Sequence, residues 1–380
     1  MRSNYEILSE MGSEYEVQSK MRSGSAREIS SVQGASDSDI LMFKAITLYH
    51  YGKKQKDIAP QLKISTSKLN ILIKKAFELG IIKTELNFNY FESSPFIMHE
   101  ALISLLFNEE IPNPKVIVTP VIDPNNVQEK GRIFGGLAAN YFDRIASNGC
   151  KIVLDGGMTV SNMIDALGDK PFENLHLYPV AGGPPSSPYT SVHAIIGRVF
   201  GKFGEYSGLR PHFLPPPSEI GEEKSKRSAQ EILNESQEAE IFILGIGAIY
   251  SMVIDEIKKT VKKEMTNTFK EILSNLNIGP KNFDDKIIGI SGYSAYDEEG
   301  NYISSPLDDE MYKLSGDHIK KAARDPNKHV IILANDVVKA QCVKAVLKGG
   351  WCNTLIIDEL TANEVNKHVY RHHGSNGKGS

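Results

Sequence analysis

From residue 116 to residue 368 the chain alternates short apolar runs with amphipathic stretches, and this alternation constrains its fold more than any other feature. The apolar runs, at 116–119, 151–154, 175–180, 212–214, 241–244, 286–290, 329–333 and 354–357, have the length and β-branched content of buried strands. Between them, 132–147, 160–167, 191–203, 226–236, 251–276, 317–323, 337–347 and 361–368 read as helices. Strand, helix, strand in this order predicts a mostly parallel α/β sheet covered on both faces.

A different texture precedes it. Residues 41–90 carry nine lysines (44, 53, 54, 56, 63, 68, 74, 75 and 83) against Asp57, Glu78 and Glu85, a local charge of +6. The whole chain is −4, so the remainder carries −10. A small basic module joined to an acidic body points to nucleic acid as one partner. The module reads as three helices. Ile40, Phe43, Ile46 and Leu48 mark the first, which ends near Gly52. The second spans 55–62 with Ile58, Ala59 and Leu62 inward and Pro60 inside it. After a turn at 63–65, with Ser65 as N-cap, the third carries Leu69, Leu72, Ile73, Ala76 and Phe77 in one stripe and stops at Gly80. This is a helix-turn-helix. Its third helix presents Ser65, Thr66, Ser67, Lys68 and Asn70 for bases, while Lys53, Lys54, Lys56, Lys74 and Lys75 reach phosphates. No arginine stands in that helix, so bidentate guanine contacts are not expected from it. A three-helix module that binds a protein through a solvated lysine face is the competing reading.

Residues 1–38 and 370–380 read as disordered tails, which leaves 39–90 for the helix-turn-helix and its linker and 91–369 for the α/β domain. A strand-like connector at 84–95 and a helix at 96–108 join the two. Cys150, Cys342 and Cys352 make no C-x-x-C pair, so neither a disulfide framework nor a cysteine zinc site is expected, and no cofactor or metal is implied. No secretory signal is recognisable and no apolar run reaches the length of a membrane span, so a cytoplasmic location without membrane contact is expected.

Four loops at predicted strand ends have the chemistry of a ligand site. The first holds Asp155, Gly156, Gly157 and Thr159, where glycines let the backbone turn and the next helix start can hold an anion. The second holds Gly182 and Gly183, the third Gly245 and Gly247, and the fourth Lys339, placed about one turn into its helix. Gly245-x-Gly247 is not a dinucleotide fingerprint, because Tyr250 stands where the third glycine belongs. Asp155 can accept sugar hydroxyls or cap the next helix. His193 and His212 read as hydrogen-bonded interior or rim histidines. The acidic clusters 297–299 and 308–310 read as solvated turns.

QKDIAPQLKIS, DGGMTVSNMIDAL, PVAGG, ILGIGAI, YDEEGN and KAQCVKAVLKGGWCNTLIIDELTANEV resemble the SorC-type sugar-binding transcriptional regulators, over about residues 40–369. The likeness implies a helix-turn-helix followed by a Rossmann-like effector domain similar in fold to sugar-phosphate isomerases and deaminases but without their catalysis. It implies tetramers on operator DNA, controlled by a phosphorylated sugar or related metabolite. It also places the phosphate loop on Gly156, Gly157 and Thr159, and the other pocket loops on Gly182, Gly183, Gly245, Gly247 and Lys339. Four features depart from the pattern: Asp155 replaces a glycine, Ile288-Gly289 replaces an acidic step, His193 stands at a polar Asn-type position after the second glycine loop, and Thr66 and Ile71 stand where arginines are usual. The alternatives are an isomerase- or deaminase-like enzyme using Asp155 with His193, and a regulator that answers to a protein partner instead of a ligand.

Overall fold

The computed structural model describes residues 37–50, 53–79, 81–82, 96–168, 172–183, 189–255 and 260–374. The expected N-terminal tail, the helix stops at Gly52 and Gly80 and the connector at 84–95 fall largely or wholly outside them. The chain divides into two compact units, Met1–Glu92 and Ser93–Ser380.

The first unit contains α1 (Asp37–His50), α2 (Gln55–Gln61) and α3 (Thr66–Glu78). Ile58, Ala59, Leu69, Leu72, Ile73 and Ala76 form its core, as the stripe requires, with Met42, Ala45 and Ile46 from α1. Two expected core residues of α1 are not there: Ile40 is 43% and Phe43 59% exposed, because α1 packs through the flank carrying 42, 45 and 46. Phe77 is likewise 40% exposed. Pro60 sits in the last turn of a seven-residue helix, where the missing N–H removes a single helical bond. Lys63 takes a left-handed φ of 54° in the turn, and the Ile64 N–H returns to the Ala59 carbonyl (3.0 Å).

The second unit is organised by a seven-stranded parallel sheet. Its strands are β1 (Lys115–Thr119), β2 (Lys151–Leu154), β3 (His176–Pro179), β4 (Arg210–Pro211), β5 (Ile241–Gly245), β12 (His329–Ala334) and β13 (Thr354–Asp358), in the order β1-β13-β12-β5-β2-β3-β4. Successive residues face opposite cores: Ile241 and Ile243 of β5 enter one apolar cluster, Phe242 and Leu244 the other. That double burial is why the strands read as continuous apolar runs. The covering helices are α4 (Ile97–Ser104), α5 (Val127–Ile145), α6 (Met158–Asp165), α7 (Val192–Ser207), α8 (Glu223–Ser236), α9 (Asn267–Asn275), α10 (Gly316–Ala323), α11 (Ala340–Lys348) and α12 (Glu359–Gly374).

The helix expected at 251–276 is a correction. β7 (Tyr250–Asp255) and β8 (Thr260–Met265) form a hairpin there, and α9 follows. Val253, Ile254, Thr260 and Val261 are β-branched, and that preference prevails over the helical spacing. The run at 286–290 also leaves the parallel sheet. β9 (Gly289–Ser291) joins β6 (Gly247–Ala248), β10 (Ser294–Tyr296) and β11 (Tyr302–Ile303) in a small antiparallel sheet. The strand expected at 212–214 lies two residues earlier, and α12 runs to Gly374, beyond its expected end at 368.

The turn after β10 closes this small sheet over α11. Asp297, expected to be merely solvated, accepts the N–H groups of Glu299 (3.0 Å) and Asn301 (2.8 Å). Gly300 within the turn has φ +74°, its carbonyl accepts the fully buried Trp351 indole N–H (2.8 Å), and an added Cβ would come 2.0 Å from the Ala345 carbonyl. Gly300→Ala is therefore expected to lower stability by at least about 2 kcal/mol, read as a lower urea midpoint with an unchanged slope.

Candidate functional site

In the parallel sheet, β3 and β4 continue outward from β2 on one side, while β12 and β13 continue outward from β5 on the other. The chain reverses its winding between β2 and β5, and the crevice beyond the carboxyl ends of such a pair is where open α/β sheets receive ligands. Asp155, Gly156 and Gly157 leave β2 there, and Gly245 ends β5.

Asp155 is the centre of the arrangement. One carboxylate oxygen accepts the Gly156 N–H (2.7 Å); the other accepts the N–H groups of Gly245 (3.1 Å) and Gly292 (3.3 Å). The side chain therefore fastens the β2 loop to the β5 loop and to the β9–β10 turn, and its bonding capacity goes largely to backbone. Burial pushes the Asp155 carboxyl up to about 6, although the three N–H groups and the Lys339 charge favour its ionised form.

The fourth loop closes on the first. The Thr159 hydroxyl, on the buried side of α6, donates to Asn335 Oδ1 (3.0 Å) and accepts from Lys339 Nζ (3.3 Å). Lys339 is not one turn into a helix. It ends a 3₁₀ turn, Val337–Lys339, started by the Asp336 side chain, and is the residue from which α11 departs. Burial lowers the Lys339 pKa although the Asp336 and Asp358 charges oppose this, and among the described residues no carboxylate forms a direct ion pair with its ammonium. Gly157, at φ +99°, has open space where a Cβ would stand, and no side chain caps α6. Its first-turn N–H groups and Lys339 thus border the same loop, a setting that favours an anion.

The second loop is joined through a residue that the sequence did not single out. The β9–β10 hairpin turns on Gly292 (φ +55°) and Tyr293 (φ +59°), a pair of left-handed residues as a type I′ turn requires. Tyrosine is held in that region at a cost of about 1–2 kcal/mol. Its hydroxyl lies where a Cβ on Gly183 would come within 2.9 Å, and burial followed by the Asp155 charge raises its pKa. Asp155, Thr159 and Tyr293 thereby link all four glycine- and lysine-bearing loops.

Other expected site residues have packing reasons. A Cβ on Gly182 would come 2.5 Å from the Pro215 carbonyl, and one on Gly247 would come 2.8 Å from the Ile290 side chain. His193 packs edge-on to Phe213 (5.7 Å) and His212 stacks on Tyr178 (4.2 Å). The Nε2 atoms of both are buried without a hydrogen-bond partner, contrary to the hydrogen-bonded histidines expected, and burial lowers both pKa values. Asp308, expected in a solvated turn, pairs at 2.5 Å with Lys313, whose side chain is 5% exposed and also donates to Ser294 next to Tyr293 (3.0 Å). Arg198 pins α6 to α7, reaching Ser161 Oγ (2.7 Å), the Tyr189 carbonyl (2.6 Å) and Asp165 (3.3 Å).

In the first unit Ser65 caps α3 by accepting the Lys68 N–H (3.1 Å), as its sequence predicts. Lys53, Lys54, Lys56, Thr66, Ser67, Lys68, Asn70, Lys74 and Lys75 are exposed. Lys53 leans on Gln61 and Lys74 on Glu78 (3.8 Å). Among the described residues no helix is long and apolar enough to cross a membrane.

No curated protein matches the chain. The family model Sugar-bind, a sugar-binding domain, matches residues 113–366. The full-length sorbitol operon regulator SorC from Klebsiella pneumoniae superposes with a TM-score of 0.59 at 18% identity, covering 87% of this chain and 99% of that one. A probable sor operon regulator from Shigella flexneri gives 0.55 at 17%, covering 71% and 98%. A DeoR family transcriptional regulator from Listeria monocytogenes gives 0.53 at 16%, with the same coverage. Those superpositions establish the shared fold, and the domain model spans more than half of the chain, which therefore belongs to the sugar-binding-domain family.

Proposed function

We propose that the protein is a transcriptional regulator whose helix-turn-helix binds operator DNA and whose α/β domain senses a small phosphorylated sugar. The linked loops at the β2–β5 reversal carry this reading. The uncapped start of α6 and Lys339 would hold the phosphate, while Asn335 and Tyr293 border the sugar. Glycines 156, 157, 183 and 245 would keep the backbone close to the ligand, with Gly182 and Gly247 supporting the loops from behind. Effector-controlled assembly, in tetramers as the family resemblance implies, would then change the spacing of the helix-turn-helix units against their half-sites.

The solved structures compared above are operon or transcriptional regulators, and the residues agree with that role. Both Asp155 oxygens face backbone N–H groups while His193 lies against Phe213, so the acid–base pair of an isomerase-like enzyme is not assembled.

The test is binding of the full-length protein to fragments of its own upstream region, with and without a panel of sugar phosphates and their unphosphorylated parents. Tight binding confined to one fragment, altered by a phosphorylated sugar and not by its parent, is the expected result. The same effector at a hundred times its Kd should add about 2.7 kcal/mol of stability, seen as a higher Tm. Equal, weak binding to every fragment with no stabilising sugar would overturn the reading.

A further inference from the structure

On α3, the buried side chains Leu69, Leu72, Ile73 and Ala76 fix which face is turned inward. Opposite them, Ser67, Ile71, Lys74 and Glu78 fall at i, i+4, i+7 and i+11 and align along the outward face, all exposed. Ile71 stands in the middle of this line, 66% exposed and outside the unit's core. Unlike the exposed Phe43 of α1, Ile71 sits in the middle of the line of α3 that faces away from the core, among the residues read as facing bases. Its aliphatic side chain is the wrong choice for phosphate, which the flanking Lys68, Lys74 and Lys75 serve.

On the reading of this unit as a DNA reader, we propose that Ile71 determines sequence preference by packing against the C5-methyl group of a thymine in the major groove. The cationic surround commits the face to a polyanion. Within the major groove, the thymine methyl is the base feature that a side chain without donors or acceptors can read. The neighbours of Ile71 divide the remaining work: Ser67 and Asn70 offer hydrogen bonds to base edges, and the lysines set the register on the backbone. The first half of α3, where Ile71 lies, is the part of a recognition helix that meets bases. This assigns the operator an A·T pair at a fixed place in each half-site, without the guanine contact that an arginine would make.

The experiment selects bound duplexes from a random library with the full-length protein. Each thymine of the selected site is then replaced singly by deoxyuridine, and affinity is measured by fluorescence anisotropy. One thymine per half-site should be sensitive, with affinity falling about fourfold per lost methyl. Ile71→Ala should bind the thymine and uracil duplexes equally, at the level of the unmodified protein on uracil, with its melting temperature and salt dependence unchanged. Uracil tolerated at every position, or sensitivity that survives in Ile71→Ala, would overturn the proposal and leave DNA binding standing. Failure to enrich any duplex would overturn both.

Discussion

Asp155→Ala is expected to destabilise the α/β unit by about 3 kcal/mol and to abolish effector-induced stabilisation. Two opposing effects decide the size. Removing the carboxylate strands three N–H groups, on Gly156, Gly245 and Gly292, at about 1–3 kcal/mol for each that stays buried. Against this, the ionised group is itself poorly solvated. Its pKa of about 6 against an ordinary 3.8 means that folding opposes the charge by about 3 kcal/mol at neutral pH. The hydrogen bonds prevail because three loops lose their common acceptor at once.

The same carboxyl gives a pH signature. Its pKa is higher in the folded protein than in the unfolded chain, so between about pH 4 and pH 6 the folded state binds the extra proton. Its contribution to stability is therefore greatest below the unfolded value and declines as pH rises through 6, then stays level. Asp155→Asn removes this titration while keeping one oxygen for the N–H groups. The difference in unfolding free energy between the native protein and this variant, from urea melts at pH 4 to 7, should change by up to about 3 kcal/mol in that direction. A difference independent of pH would mean that Asp155 titrates normally and that its burial does not shape the site.

Much of this architecture was legible before any coordinates. The parallel strands announced themselves because burial on both faces leaves no room for polar alternation, as in IFILG and TLIID. The α3 stripe, apart from Phe77, and the Ser65 cap are local signals, and they hold. The second sheet was hidden because its strands are two or three residues long and pair across the chain: β6 with β9 joins residues more than 40 positions apart. The candidate site was half readable. Glycines after strands could be picked out, but which of them face the crevice and which merely admit a neighbour depends on contacts such as Pro215 against Gly182. Asp155 looked like a ligand-binding acid, and only the convergence of three backbone segments shows its carboxylate turned to them. Tyr293 gave no usable signal, since a tyrosine in a left-handed turn is recognised by its φ and not by its letter.

DNA binding should weaken about 500-fold per helix-turn-helix unit between 50 and 200 mM salt. Each lysine that displaces a counterion from phosphate adds about 0.9 to the slope of log K against log salt, so Lys53, Lys54, Lys56, Lys74 and Lys75 together give about 4.5. The contacts that Lys53 and Lys74 make within the chain do not withdraw them. The Lys74–Glu78 pair spans 3.8 Å with side chains 80% and 63% exposed, and such surface pairs contribute less than about 1 kcal/mol. Replacing Lys54 and Lys75 by glutamine should reduce the slope by about 1.8 and weaken all fragments alike, since phosphates carry no sequence. Ser67→Ala with Asn70→Ala should do the reverse, reducing the preference for one fragment to what Ile71 supplies while leaving the slope in place. The two outcomes separate the halves of the α3 surface: charge that holds the duplex, and a narrow line of side chains that chooses it. A slope below about 2 in the native protein would mean that the lysines do not meet phosphate. The basic face of this module would then need a protein partner.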